Sequence, residues 1–164
     1  MSDQSDGAAS AAADGQRHLI INAQYVKDLS FENPRAPHSL LQQQGQAPEF
    51  NVGVDVKAQG LAPDIFEVVL AVRVDSKLAG ESFFVVELVY GAVVTLANLA
   101  QEDVPLALLV ETPRLLFPFA RAIVSEVTRD GGFPPFMLNQ IDFAELYRRQ
   151  SAAAQAAPAG TMTA

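Results

Sequence analysis

The stretch ESFFVVELVY, residues 81–90, is dense in β-branched and aromatic side chains and reads as a strand. Successive side chains of a strand point to opposite faces. One face carries Ser82, Phe84, Val86, Leu88 and Tyr90, an ordinary core surface. The other carries Glu81, Phe83, Val85, Glu87 and Val89, apolar groups with carboxylates set among them. Left open to solvent, Phe83, Val85 and Val89 form an apolar strip studded with acids, which is the composition of a binding surface. Covered on both sides, the same segment is a central buried strand. Spacing alone leaves both readings open.

The segments before it keep the same phase. In EFNVGVDVKA (49–58), Phe50, Val52, Val54, Val56 and Ala58 share one face. From Ile65 to Lys77 the inward set is Phe66, Val68, Leu70, Val72 and Val74. Gly60, Pro63 and Asp64 supply one turn and Leu78-Ala79-Gly80 the next. Three strands with short connections make an antiparallel meander, and the even-numbered residues form its apolar side. LIINAQYVKDLSF (19–31) reads as a further, first strand, and residues 32–48, with Pro34, Pro37, Gly45 and Pro48, as a long loop.

Beyond Gly91 the chain is apolar but mixed in period, and the strand is expected to fade near Leu96. Thr112 and Pro113 read as a helix start, cap followed by first helical position, and Gly131-Gly132 as the stop. Leu115, Phe119, Ala122 and Ile123 line one stripe of this helix, and Leu116, Ala120, Val124 and Val127 the adjoining one. That apolar sector is wider than one sheet needs, so a second copy of the helix is the expected partner. Pro118 predicts a kink. FPPFML (133–138) is a rigid apolar linker, and DFAELYRRQ (142–150) a short terminal helix. The expected fold class is α+β: a four-stranded antiparallel sheet, a long helix packed on one face and a short C-terminal helix. The expected division is a disordered extension over 1–17, a folded domain over 18–150 and a disordered Ala-rich tail over 151–164.

Composition narrows the function. The net charge of -8 repels phosphate backbones and anionic membrane surfaces, which argues against nucleic-acid partners. With no cysteine, thiol nucleophiles, disulfides and Cys-ligated metals are excluded. No signal-peptide pattern and no long apolar run appear, so a soluble, cytoplasmic protein without membrane insertion is expected. No metal-ligand spacing and no phosphate loop stand out, so no cofactor, metal or catalytic residue is expected. His38 beside Ser39, with Asp28, is the weak hydrolase alternative. Glu67 and Glu87 are two acids that adjacent strands could set face to face. The concentration of phenylalanine on the strands, linker and last helix reads as core, or as a groove between the sheet and the loop or terminal helix that accepts apolar segments; a small apolar ligand carrier is the rival use of such a groove.

KDLSFENPRAPHS (27–39), FEVVLAVRV (66–74), the strand around FFVVEL (83–88), PRLLFPFARAIVSEVTRDGGFPPF (113–136) and NQIDFAELY (139–147), occurring together in this order, resemble the SecB family of protein-export chaperones. The resemblance spans about residues 19–150. It implies an ATP-independent holdase that forms a homotetramer, as a dimer of dimers, binds unfolded precursor proteins in apolar grooves and delivers them to the SecA translocation ATPase. The SecA-contacting positions of the family fall on Asp28, Glu32, Val85 and Glu87, with Val85 where a leucine is usual. The client groove is expected at Phe50, Val52, Val54, Phe84, Phe143 and Tyr147, and the oligomer interface at Leu116, Phe119, Ile123, Val124 and Val127.

Overall fold

A computed structural model describes residues 15–41 and 45–157. The quoted stretch opens β4 (Glu81–Ala97), an inner strand of one four-stranded antiparallel sheet in the order β1-β4-β3-β2. β1 (His18–Glu32) and β2 (Glu49–Ala62) form the edges, and β3 (Ile65–Leu78) is the other inner strand. The β3–β4 turn holds Ala79 and Gly80 at φ 51° and 78°, the doubly positive pair that matches strand twist in a two-residue hairpin.

The even phase is the core phase. Val68, Leu70, Val72 and Val74 of β3 and Phe84, Val86, Leu88 and Val94 of β4 are all buried. α3 (Thr112–Asp130) lies on that face and presents Leu116, Ala120, Val124 and Thr128, a strict i, i+4 stripe that is wholly buried. Each Leu- or Val-sized side chain so buried contributes roughly 1.5–3 kcal/mol relative to exposure. The helix ends at Gly131-Gly132, as expected, with Gly132 at φ 90°. Thr128 fastens the exit: its Oγ1 donates to the Val124 carbonyl at 2.9 Å and accepts from the Phe136 N–H at 2.9 Å. A short α1 (His38–Leu41) stands within the long loop, and the loop's residues 42–44 lie outside the described residues.

Three expectations are corrected. First, the helical run starts well before Thr112: a 3-10 turn at Gln101–Asp103, α2 (Val104–Leu106) and a π turn at Ala107–Glu111 lead straight into α3. Thr112 is therefore not a cap. It is buried, and its N–H and Oγ1 both donate to the Ala107 carbonyl. The wide π turn makes room for Pro113, which lacks an N–H and crowds the carbonyl four residues back in a regular helix. Second, Phe83 does not sit on the acidic face. Ser76 pairs with Phe84 and Lys77 with Ser82, so Phe83 is the extra residue of a β-bulge. The bulge turns it into an aromatic cluster, its ring 4.7 Å from Phe133 and 6.3 Å from Phe84. Third, α4 (Phe143–Ala156) runs past the expected end at Gln150. The alanine run needs no buried face to extend a helix already nucleated, because alanine is the strongest helix former. Residues 1–14 and 158–164, on which most of the expected disorder falls, lie outside the described residues.

Candidate functional site

Register gathers the expected SecA-contacting residues on the sheet face opposite α3. Reading across β2, β3, β4 and β1, one row is Asp55, Ala71, Val89 and Asp28; the next is Gly53, Arg73, Glu87 and Ser30; the next is Asn51, Asp75, Val85 and Glu32. Asp28 and Glu32 are exposed, while Val85, Glu87 and Val89 are half-buried by their sheet neighbours. Lys27 is the extra residue of a bulge in β1, and without it Asp28 would point to the other face. The face is a shallow depression of about 340 Å³ where Gly53 contributes no side chain.

Arg73 stands in the middle and is the residue the sequence reading missed. Its Nε and Nη2 donate to the Asp75 carboxylate at 2.7 and 2.9 Å, and Nη1 pairs with Glu87 directly across the ladder. The bond to Asp75 raises the guanidinium pKa further, with Glu32 adding its charge. The only signal available in the sequence was a cation at the same strand parity as Asp75 and Glu87.

Glu67 and Glu87 are not brought together. Glu67 pairs with Val93, at the other end of the face. It is buried under a network of its own: Tyr25 Oη donates to Oε1 at 2.6 Å, Lys27 Nζ at 2.8 Å, and Gln59 Nε2 donates to Oε2 at 2.7 Å. The Lys27 bond first, then the Tyr25 bond, holds the Glu67 carboxyl below its ordinary range. Burial, reinforced by the bond to Glu67, pushes the Tyr25 hydroxyl up to about 12. The Tyr25 ring lies over Gly91, where an added Cβ would sit 2.7 Å from it. Ser39 is buried and donates to Asn33 Oδ1 at 2.7 Å, a structural bond that ties up the hydroxyl considered beside His38.

The expected groove residues separate into two sets. Phe50 and Val52 are 45% and 42% exposed on the helix-side face of β2, and Val54 is half-buried beside them. Phe84 and Phe143 belong to the core instead: Phe84 packs among Phe31, Phe50 and Phe133, and Phe143 against Phe117. Both are buried aromatic rings that fill the interior, leaving the groove to their neighbours. The open channel, about 460 Å³, runs between Val52 and Val54 on one side and Phe136, Ile141 and Leu146 on the other. Tyr147 is half-buried and does not line it. Gln150 Nε2 donates to Asp55 Oδ1 at 2.8 Å and fixes α4 against β2.

The expected interface residues also separate. Leu116 and Val124 are 0% exposed and already packed in the chain's own core, so they have no surface to give a partner. Phe119 is 50% exposed, Leu115 is open beside it, and Ile123 and Val127 are half-buried. The outward stripe is therefore the one that contains Leu115 and Phe119.

A family model described as "Preprotein translocase subunit SecB" matches residues 12–154. The chain belongs to the SecB family. A protein-export protein SecB of Rhodospirillum centenum is 53% identical over 133 residues, 80% of this chain and 79% of that one. Another SecB, from Paramagnetospirillum magneticum, is 50% identical over 134 residues, 82% and 86% of the two chains. Among solved structures, the SecB-like chaperone of Mycobacterium tuberculosis, in complex with a ChAD peptide from the HigA1 antitoxin, shares the fold. Its TM-score is 0.61 at 14% identity, covering 75% of this chain and 90% of that one. The SecB fold thus accounts for the four-stranded sheet, the long helix behind it and the C-terminal helix.

Proposed function

We propose that this chain is an ATP-independent holdase of protein export, assembled as a homotetramer in the cytoplasm, with residues 18–150 as its working domain and the two ends as extensions. Unfolded precursors lie in the channel between β2, the 136–142 segment and α4, and SecA docks on the opposite sheet face at Asp28, Glu32, Val85 and Glu87. The observation that carries the reading is the separation of two unlike surfaces by one sheet. One is an apolar channel behind the edge strand; the other is a shallow open face with acids around Val85 and Val89. Apolar burial without directional contacts tolerates many client sequences. Charge complementarity steers a basic partner to the other face, and the valines hold it there. No helix among the described residues is long and apolar enough to cross a membrane.

The test is calorimetric titration of SecA into wild type, Glu87→Lys and Asp28→Ala, beside an aggregation-suppression assay with an unfolded precursor and no nucleotide. Glu87→Lys should weaken SecA binding strongly and Asp28→Ala mildly, with client capture retained in both. Equal loss of both activities, or an ATP requirement for capture, contradicts the two-surface holdase. Mass spectrometry of the protein purified from cells separates it from a small-ligand carrier: heterogeneous polypeptides against one small molecule.

A further inference from the structure

Arg73 occupies the centre of the face assigned to SecA, and nothing in a docking role for the acids requires a cation there. Its bonding partners are carboxylates. Asp75 takes two of its donors, Glu87 a third, and Glu32 acts on it through space. Gly53, directly opposite on β2, leaves the guanidinium uncovered on that side, with nothing within 4 Å of where a Cβ would stand. The side chain is 51% exposed and Glu87 45%, so the pair is formed in reach of solvent and of a partner.

We propose that Arg73 is a built-in counter-ion that competes with the basic groups of an incoming partner for Glu87 and Asp75, and so sets the strength and selectivity of docking on this face. The inference rests on the docking reading above and deepens it. A partner cation approaching Glu87 meets a carboxylate already satisfied, and must either displace Arg73 or share the oxygen. Displacement is feasible because exposed pairs contribute little individually. A weakly basic partner gains nothing by it, whereas one with several cations and an apolar anchor for Val85 and Val89 does. The arginine therefore lowers affinity for every cationic surface while discriminating against those that carry charge alone. Its fork geometry matters, since a lysine holds a carboxylate as a point charge and not bidentately.

The experiment is titration of SecA into wild type, Arg73→Gln, Arg73→Lys, Glu87→Gln and the Arg73→Gln/Glu87→Gln double variant, each across a salt series. Arg148→Gln makes the same charge change on α4 and serves as the control. Circular dichroism melts and light scattering establish that each variant keeps its fold and assembly. Arg73→Gln should bind SecA about two- to fivefold more tightly, with a steeper salt dependence, as expected when an exposed competing pair is removed. Arg73→Lys should fall between, Arg148→Gln should match wild type, and the gain should shrink when Glu87 is absent. If Glu87→Gln weakens binding but Arg73→Gln leaves it equal or weaker, the counter-ion role is overturned and the docking face stands. If wild type does not bind SecA, or Glu87→Gln binds as well as wild type, the docking reading fails and this inference with it.

Discussion

The outward stripe of α3 gives the sharpest test of assembly, because two apolar residues on different faces of one helix should respond in opposite ways. Phe119 is 50% exposed and Val124 0%. An aromatic side chain buries about 150–250 Å² when covered, so roughly 100 Å² of Phe119 remains for a partner copy. At about 25 cal/mol per Å² that area contributes about 2–3 kcal/mol per copy, between one and two orders of magnitude in association. The inner half of the ring stacks on Tyr90, with centroids 6.3 Å apart and planes 17° apart, which adds about 0.5–1.5 kcal/mol inside the protomer. Phe119→Glu should therefore yield a folded protomer with a slightly lowered Tm that fails to hold the proposed tetramer on dilution. Val124→Asp places an unpaired carboxylate in the core under the sheet, a cost of several kcal/mol against a total stability of about 5–15 kcal/mol. That variant should lose its cooperative melt altogether. Light scattering after size exclusion over a concentration series, with circular dichroism melts, reads both. A Phe119→Glu tetramer as resistant to dilution as wild type would refute the assembly face. A Val124→Asp protein melting like wild type would refute the packing of α3 on the sheet.

Gly131→Ala should destabilise by about 1–3 kcal/mol in urea unfolding, because the added Cβ would stand 2.2 Å from the Phe31 ring; Gly53→Ala, with nothing within 4 Å, should be near neutral, and similar midpoints for the two would contradict the packing at the helix end. Protonation should act through Glu67 and Tyr25 in opposite directions. The Glu67 carboxyl titrates lower in the folded state than its ordinary 4.5, so its contribution is present above that value and lost as the pH falls through the folded one; Glu67→Gln should flatten the acid limb of the stability curve. Tyr25 is raised from 10.0 to about 12, so its contribution is complete below 10 and lost as the pH rises through 12; Tyr25→Phe should flatten the alkaline limb, and unchanged limbs in both variants would remove the network from the account. Val52→Asp in the channel should impair suppression of precursor aggregation and spare SecA binding, since the β2 residue lies on the helix side of the sheet; loss of SecA binding alone would place the client elsewhere.

Much of the architecture follows from local chemistry legible in the chain. Alternation with a shared even phase over residues 49–90 fixes a meander with one apolar side, because side-chain direction in a strand has period two whatever the surroundings. The glycines at 131 and 132 stop the helix, and Asp142 caps the last one by accepting from the Glu145 N–H at 3.0 Å. The family, too, was readable in motifs spread along the chain. What the tertiary structure decided are matters of which neighbour a residue meets. Phe83 has the parity of the acidic face, but a bulge gives it to the aromatic core, and a bulge is an agreement between two strands. Thr112-Pro113 has the chemistry of a helix start, yet the apolar residues before it are helical because β2, β3 and α4 bury them. The two stripes of α3 are equally apolar in sequence; only the sheet, by taking Leu116 and Val124, shows that Leu115 and Phe119 are the ones left over. Asp28, Glu32, Val85 and Glu87 form a surface because a one-residue bulge at Lys27 corrects their register, and Arg73 stands among them because β3 is their neighbour. Alternation is written residue by residue, whereas pairing, register and the choice between equivalent faces are properties of segments far apart in the chain, and they exist only once those segments have met.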